Sequence, residues 1–384
     1  MNYKLASSSW GKEEIKAIHN VIDSDVFSMD KKVVQYEKNF AKYFGTKYAV
    51  MCSSGSTANL LMIASLFFTK KPKLKRGDEV IVPSVSWSTT YFPLQQYGLH
   101  VKFVDINLET LNYDLEALKK AVTSKTKAIL AVNLLGNPNN FDEIKVIIGN
   151  KNILLLEDNC ESMGAKFNDK YTGSFGLMGT FSTFFSHHMS TMEGGMIITD
   201  DQEIYHVLLC IRAHGWTRNL PMKNKVSNKS KDWFEESFKF VLPGYNVRPL
   251  EMSGAIGIEQ LKKLPSFLQQ RRKNALTFIK LFSESNKFII QKEIGNSSWF
   301  GFSLIIKDTT PRNKIISKLT NASIDTRPIV TGDFTKNEVL KYFDYSIHGC
   351  LVNAKKVDTK GFFLGNSHED LTKELHYLHR VLSE

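Results

Sequence analysis

A chain of 384 residues with 42% apolar side chains can core roughly two or three domains, which excludes a short disordered segment or a disulfide-stapled module. Fifty Lys and Arg against 39 Asp and Glu leave a formal charge of +11, a balance that favours anionic partners and leaves nucleic acid, acidic membrane and phosphorylated metabolite open. The four cysteines, Cys52, Cys160, Cys210 and Cys350, are too widely spaced for a zinc or iron–sulfur ligand cluster and suit reduced cytosolic thiols.

Met1–Trp10 has no signal-peptide core. Ile15, Ile18 and Ile22 recur at helical spacing, as do Val33, Tyr36, Phe40 and Phe44, which predicts two amphipathic helices packed on the core. From Tyr48 to Thr199, β-rich runs at Tyr48–Met51, Glu79–Val82, Val101–Asp105, Ala128–Val132, Ile153–Glu157 and Met196–Thr199 alternate with helical stretches. Several runs are apolar on both faces, as buried parallel strands must be, so an α/β layer with a mainly parallel sheet is expected. The apolar run Leu60–Phe68 is far short of the ~20 residues of a spanning helix, and a soluble cytoplasmic protein without membrane association is expected. Lys70–Arg76, ending in Gly77–Asp78, reads as a solvated turn. After the turn Pro243-Gly244-Tyr245-Asn246, the residues Leu261, Leu264, Leu268, Ala275, Ile279 and Phe282 mark one stripe of a long helix that Pro265 is placed to kink. Runs at Phe288–Ile290 and Trp299–Ile306 belong to a smaller α+β region. The chain thus divides into a large domain over residues 1–250 and a small one over 251–384.

Ligands of open α/β sheets bind beyond the carboxyl ends of strands, so the residues just after each run carry the chemistry. Ser53-Ser54-Gly55-Ser56-Thr57-Ala58-Asn59-Leu60 follows a strand and opens a helix. Its glycine, free N–H groups and small hydroxyls suit one phosphate, and equally an ordinary serine-capped helix. It lacks the lysine of a P-loop and the spacing of a dinucleotide fingerprint. Asp158, ending Leu154-Leu155-Leu156-Glu157-Asp158, needs a cation or strong donor if buried, a protonated pyridine nitrogen or a helix cap being the two readings. Trp87 is placed either to stack on a flat heterocycle or to fill core. In Ser182-Thr183-Phe184-Phe185-Ser186-His187-His188-Met189-Ser190-Thr191-Met192-Glu193-Gly194-Gly195, adjacent histidines cannot both face one ion, so no metal is expected and proton transfer is the better role.

A phosphate loop, a stacking aromatic, a strand-end Asp and a Ser-x4-(Lys or His)-x5-Glu-Gly-Gly segment, in this order, resemble the pyridoxal-phosphate sugar aminotransferases of the DegT/DnrJ/EryC1/StrS family. Gly244-Tyr245-Asn246-Val247-Arg248-Pro249-Leu250-Glu251 is similar to that family's Gly-Tyr-Asn-x-Arg-x-x-Glu signature. The resemblance implies a fold-type-I, aspartate aminotransferase-like large domain with a mainly parallel mixed sheet, and a smaller α+β C-terminal domain. It implies pyridoxal 5'-phosphate, cycling with pyridoxamine 5'-phosphate, with Asp158 on the ring nitrogen, Trp87 on the ring face and Glu161 near the ring hydroxyl. Gly55, Ser56, Thr57 and Ser182 would hold the phosphate, with Asn246 reaching in from the second subunit of a homodimer. His214 and Arg327 are the candidates for contacting substrate.

Most members carry a lysine where this chain has His187. Histidine cannot anchor the cofactor covalently or hand nitrogen to a sugar as lysine does, but it can move protons. The histidine-bearing branch resembles sugar 3-dehydratases, which implies C3 deoxygenation of a GDP-linked 4-keto-6-deoxy sugar. L-glutamate would supply the electrons, with ammonia and 2-oxoglutarate released. A related branch fed by an iron–sulfur reductase partner is disfavoured by the cysteine spacing. The alternatives are a nucleotide-sugar aminotransferase and a cofactor-free binding protein; a nucleic-acid role rests on charge alone.

Overall fold

The computed structural model describes residues 1–383. In chain order the elements begin with α1 (Lys12–Asp23), α2 (Lys31–Phe44), β1 (Tyr48–Cys52), α3 (Gly55–Ser65), β2 (Glu79–Pro83), α4 (Ser88–Gln96), β3 (His100–Val104), α5 (Leu115–Ala121), β4 (Thr126–Val132), α6 (Phe141–Ile148) and β5 (Leu154–Asp158). A two-stranded hairpin, β6 (Lys166–Phe167) and β7 (Lys170–Tyr171), precedes β8 (Met178–Ser182), β9 (Gly195–Thr199), α7 (Gln202–Ile211), α8 (Trp233–Ser237) and α9 (Glu251–Phe282). Last come β10 (Phe288–Ile290), β11 (Gly301–Ile306), α10 (Arg312–Asn321), β12 (Tyr345–Ile347), α11 (Val352–Lys360), β13 (Gly361–Gly365) and α12 (Thr372–Ser383).

Eight strands form one sheet in the order β1-β9-β8-β5-β4-β2-β3-β12, in which β9 alone runs against its neighbours. Its central strands are apolar on both faces and are covered by helices, as parallel strands require. A three-stranded antiparallel sheet, β10-β11-β13, backs a second core built around Phe278, Trp299, Phe302 and Leu378. Two features cross residue 250: β12 pairs with β3 in the large sheet, and Tyr3 packs in the second core.

The stripe on α2 is buried at Val33, Tyr36, Phe40 and Phe44. The stripe expected on α1 is not, because that helix buries Glu14 and Val21 and leaves Ile15 and Ile22 half exposed. Glu14 faces inward because Gln260 donates to its Oε1 at 2.9 Å and Lys263 pairs with its Oε2 at 2.7 Å. Helix α9 continues through Pro265, whose missing N–H forfeits one helical bond. Among the described residues no helix is long and apolar enough to cross a membrane.

Candidate active site

Strand order brings the candidate residues to one edge of the sheet. Cys52, at the end of β1, and Ser182, at the end of β8, both pair with Gly195 of β9, and Asp158 pairs with Thr180. The loop after β1, the end of β8, the end of β5 and the turn after β2 therefore open into one crevice. Gly195 is required there, since a Cβ would stand 2.0 Å from the Ser54 carbonyl oxygen.

The loop after β1 caps α3. Ser54 Oγ accepts from Thr57 N at 3.1 Å, and Thr57 Oγ1 accepts from Ser54 N at 2.9 Å, so the Thr57 hydroxyl is spent on the cap. The N–H groups of Gly55 and Ser56 lie in the first turn, where helices have no internal acceptor and the dipole favours an anion. A Cβ on Gly55 would come within 2.6 Å of Ser182 Cβ, so only glycine lets the start of α3 approach the serine this closely. Ser56 Oγ donates to Thr89 Oγ1 at 3.1 Å.

Asp158 is buried on one face of β5 while Glu157 turns to the other. Glu157 accepts from the N–H groups of Gly173, Phe175 and Gly176 and so fixes the turn before β8. Asp158 Oδ2 accepts from Asn59 Nδ2 at 2.8 Å and Thr90 Oγ1 at 2.7 Å, and Oδ1 accepts from Cys160 N at 3.1 Å. These three donors hold the carboxylate in one orientation and leave acceptor capacity for one further N–H. Asn59 and Thr90 were absent from the sequence reading of the site. Buried polar side chains on apolar helices are the signal for them, but it does not say what they face.

Trp87 sits at the N-cap of α4, after β2, and is 57% exposed, so it is open surface rather than core. Glu161 Oε2 accepts from Leu135 N at 3.0 Å. Burial, partly offset by that N–H, pushes the Glu161 carboxyl up to about 7, and Asp158 adds to the rise.

His187 N donates to Phe184 O at 2.9 Å, closing a tight turn. Its ring meets Phe184 and Phe300 edge-on at centroid distances of 5.9 and 5.0 Å, and its buried Nδ1 has no partner among the described residues. His188 Nδ1 is likewise unpartnered, but its Nε2 lies 3.2 Å from Ser298 O, which ties that ring to the chain. Burial, then the Arg271 guanidinium, holds the His187 imidazole down to about 3.

Asn246 is exposed, its Oδ1 accepting from Arg248 Nε at 3.0 Å, while the next carbonyl, Val247 O, accepts from Ser53 N. His214 has a left-handed backbone with φ 59° and packs against Trp216 at 5.0 Å. Arg327 bridges Phe363 at the edge of the small sheet with its guanidinium exposed, four residues before Thr331, which donates to Ser86 O beside Trp87.

A sheet of this order, with an anion cradle, a fixed carboxylate and an aromatic face at the strand ends, defines a pyridoxal-phosphate enzyme of fold type I. The chain belongs to the DegT/DnrJ/EryC1/StrS aminotransferase family, whose model matches residues 8–379. It is 67% identical over 386 residues to a GDP-4-keto-6-deoxy-D-mannose 3-dehydratase of Escherichia coli O55:H7, covering all of both chains. A crystal structure of a histidine-to-asparagine variant of GDP-4-keto-6-deoxymannose-3-dehydratase with bound GDP-perosamine is 66% identical, with a TM-score of 0.99 over 99% of this chain and 100% of that one. Another, with a trapped PLP-glutamate geminal diamine, has a TM-score of 0.98 at the same identity and coverage.

The residues fit the cofactor that this family uses. The free first-turn N–H groups of α3, brought close to Ser182 by Gly55, suit a phosphate, the oriented Asp158 accepts a ring N–H, and the orphaned Nδ1 leaves His187 unpaired by the chain.

Proposed function

We propose that the chain is a pyridoxal-phosphate-dependent C3 dehydratase that converts GDP-4-keto-6-deoxymannose to its 4-keto-3,6-dideoxy product in the cytoplasm. L-glutamate is consumed, and ammonia and 2-oxoglutarate are released. The observation that carries this reading is His187, an imidazole unpaired at Nδ1 where the family's usual lysine would stand. The 67% identity to a 3-dehydratase over the full chain supports the same substrate.

When bound, pyridoxal phosphate supplies an electron sink and, in its amine form, the nitrogen that engages the C4 ketone. Asp158, oriented by Asn59, Thr90 and the Cys160 N–H, holds the ring nitrogen protonated. Trp87 covers one ring face, and Gly55, Ser56 and Ser182 hold the phosphate from one subunit. The exposed Asn246 completes the phosphate site of a second copy, with sites shared across a homodimer. Glu161 faces the ring hydroxyl, and His214 and Arg327 meet the nucleotide sugar.

His187 takes a proton from the carbon beside the ring and returns it to the departing C3 hydroxyl, so one group serves as base and acid. The atoms balance: the sugar loses one oxygen, and glutamate becomes 2-oxoglutarate plus ammonia, gaining that oxygen through water. No external reductant is needed.

The test is to incubate the protein with pyridoxal phosphate, L-glutamate and GDP-4-keto-6-deoxymannose. A nucleotide sugar one oxygen lighter, appearing with ammonia and 2-oxoglutarate in equal amounts, is expected. An amino sugar would identify an aminotransferase instead.

A further inference from the structure

Arg271, on α9, is a buried cation without a counter-ion. It is 4% exposed, and its Nη1 donates to the carbonyls of Asn366 at 2.9 Å and of Trp299 and Phe300, both at 3.3 Å. Among the described residues it makes no carboxylate contact, and burial alone lowers its pKa, to about 10, so it stays charged at neutral pH. Burying an unpaired guanidinium is costly, and the fold needs no charge at this position to satisfy three carbonyls.

The carbonyls it binds belong to a thin partition. On the other side, the Phe300 ring lies 5.0 Å from His187 and 5.7 Å from His188, and Ser298 O binds His188 Nε2. The partition is held rigidly. Trp299 has a left-handed backbone with φ 46°, Asn366 Nδ2 donates to both Trp299 O and Arg271 O, and Phe300 N donates to Leu135 O. Among the titratable groups around Arg271, His368 after β13 is lowered first by burial and also by the Arg271 charge, with Glu369 opposing. Helix α9 adds Arg272, which donates to Ser297 O and Gly164 O. Glu293 accepts from Ser297 N, His188 lies on the same loop as His187, and Asp158 and Glu161 stand at the end of β5.

Building on the dehydratase reading, we propose that Arg271 is a positioning residue whose buried charge keeps the His187 imidazole unprotonated between turnovers, making the imidazolium formed during reaction a strong acid. Hydroxide is a poor leaving group and departs from C3 only as it is protonated, so an imidazolium that sheds its proton readily suits the second half of the cycle. Burial lowers both histidines first and the like charge of the guanidinium adds to it, driving His188 too well below its ordinary range. Because Arg271 is buried, surface salt screens its charge little.

The experiment titrates labelled histidine rings by NMR in the full-length protein, before and after addition of pyridoxal phosphate, with His187→Asn identifying the His187 signals. In the wild type His187 is expected to stay neutral to below about pH 5. A midpoint near its ordinary 6.5 overturns the proposal. In Arg271→Met the midpoint is expected to rise by about one pH unit or more. Arg271→Gln, which keeps a donor but not the charge, reads the same rise should the methionine variant fail to fold. Arg271→Lys retains the charge and is expected to leave the midpoint within about half a pH unit of wild type. A rise in the lysine variant equal to that in the uncharged ones would assign the effect to shape and overturn the inference. None of these readings requires turnover, so an unchanged midpoint with dehydration intact refutes the role of Arg271 alone, and a depressed midpoint without dehydration refutes only the proposed function.

Discussion

Two carboxylates and one imidazole in the crevice are differentiated by what donates to them. Asp158 has three donors, whereas Glu161 has one N–H and a burial that favours its neutral form. Its carboxyl therefore holds a proton up to about 7 in the folded protein, against an ordinary 4.5. Between those values the folded state binds a proton that the unfolded chain has released, so this group makes stability fall as pH rises through the window. Glu161→Gln is expected to flatten that fall, measured as the change in Tm of the cofactor-free protein between about pH 5 and pH 8; equal slopes in both proteins would show that Glu161 is ionised throughout. At His187 the expectation is sharper. His187→Asn should bind pyridoxal phosphate as wild type does while losing at least ~100-fold in both glutamate-driven amine formation and dehydration. His187→Lys should retain the cofactor through denaturation after borohydride reduction, without regaining dehydration. Turnover surviving in the asparagine variant would move the base elsewhere. The place of Asp158 at the end of β5 was legible from its apolar strand, and that of His187 from the resemblance around Glu-Gly-Gly. Asn59, Thr90 and Arg271 were not, since their partners lie 99, 68 and 28 or more residues away along the chain.

At the scale of elements, the strands of the large sheet were readable because buried parallel strands are apolar on both faces. Strands β8 and β12 were not: Met178-Gly179-Thr180-Phe181-Ser182 carries small and polar residues, and Tyr345–Ile347 is a three-residue, partly exposed edge strand from beyond residue 250. Helix α1 misled for the opposite reason: its isoleucines are periodic, but a hydrogen-bonded carboxylate, Glu14, won the inward face. The end of the Gly-Tyr-Asn-x-Arg-x-x-Glu segment has a structural explanation. Glu251, 3% exposed, accepts from the N–H groups of Asp30, Lys32 and Val33 and so caps α2 from the start of α9. Glu251→Ala strands those donors and is expected to cost about 1–3 kcal/mol in chemical unfolding, with Glu251→Gln losing less because it keeps one acceptor. Wild-type stability in the alanine variant would mean that water replaces the cap.

The whole molecule carries apolar surface that one chain does not cover. Trp233, Phe234 and Phe238 are each more than 70% exposed, and Leu250, Phe27 and Ile22 are at least 45% exposed. Exposed apolar side chains of this size suit the homodimer proposed above, and the exposed Asn246 lies in the same stretch of sequence. If a two-fold dimer places Asn246 of one copy in the phosphate site of the other, each site needs His187 from one chain and Asn246 from its partner. Two variants, His187→Asn and Asn246→Asp, would then each be inactive alone, the second because a carboxylate repels the phosphate. Unfolded together and refolded, they form mixed dimers in which one site carries both substitutions and the other carries neither. Random pairing makes half the dimers mixed, so roughly a quarter of wild-type dehydration should return. Sites contained within single chains could recover nothing, because every chain in the mixture would still lack one of the two residues. The recovered rate therefore reads the geometry of the assembly directly, and its dependence on subunit exchange separates a shared site from contamination by either parent.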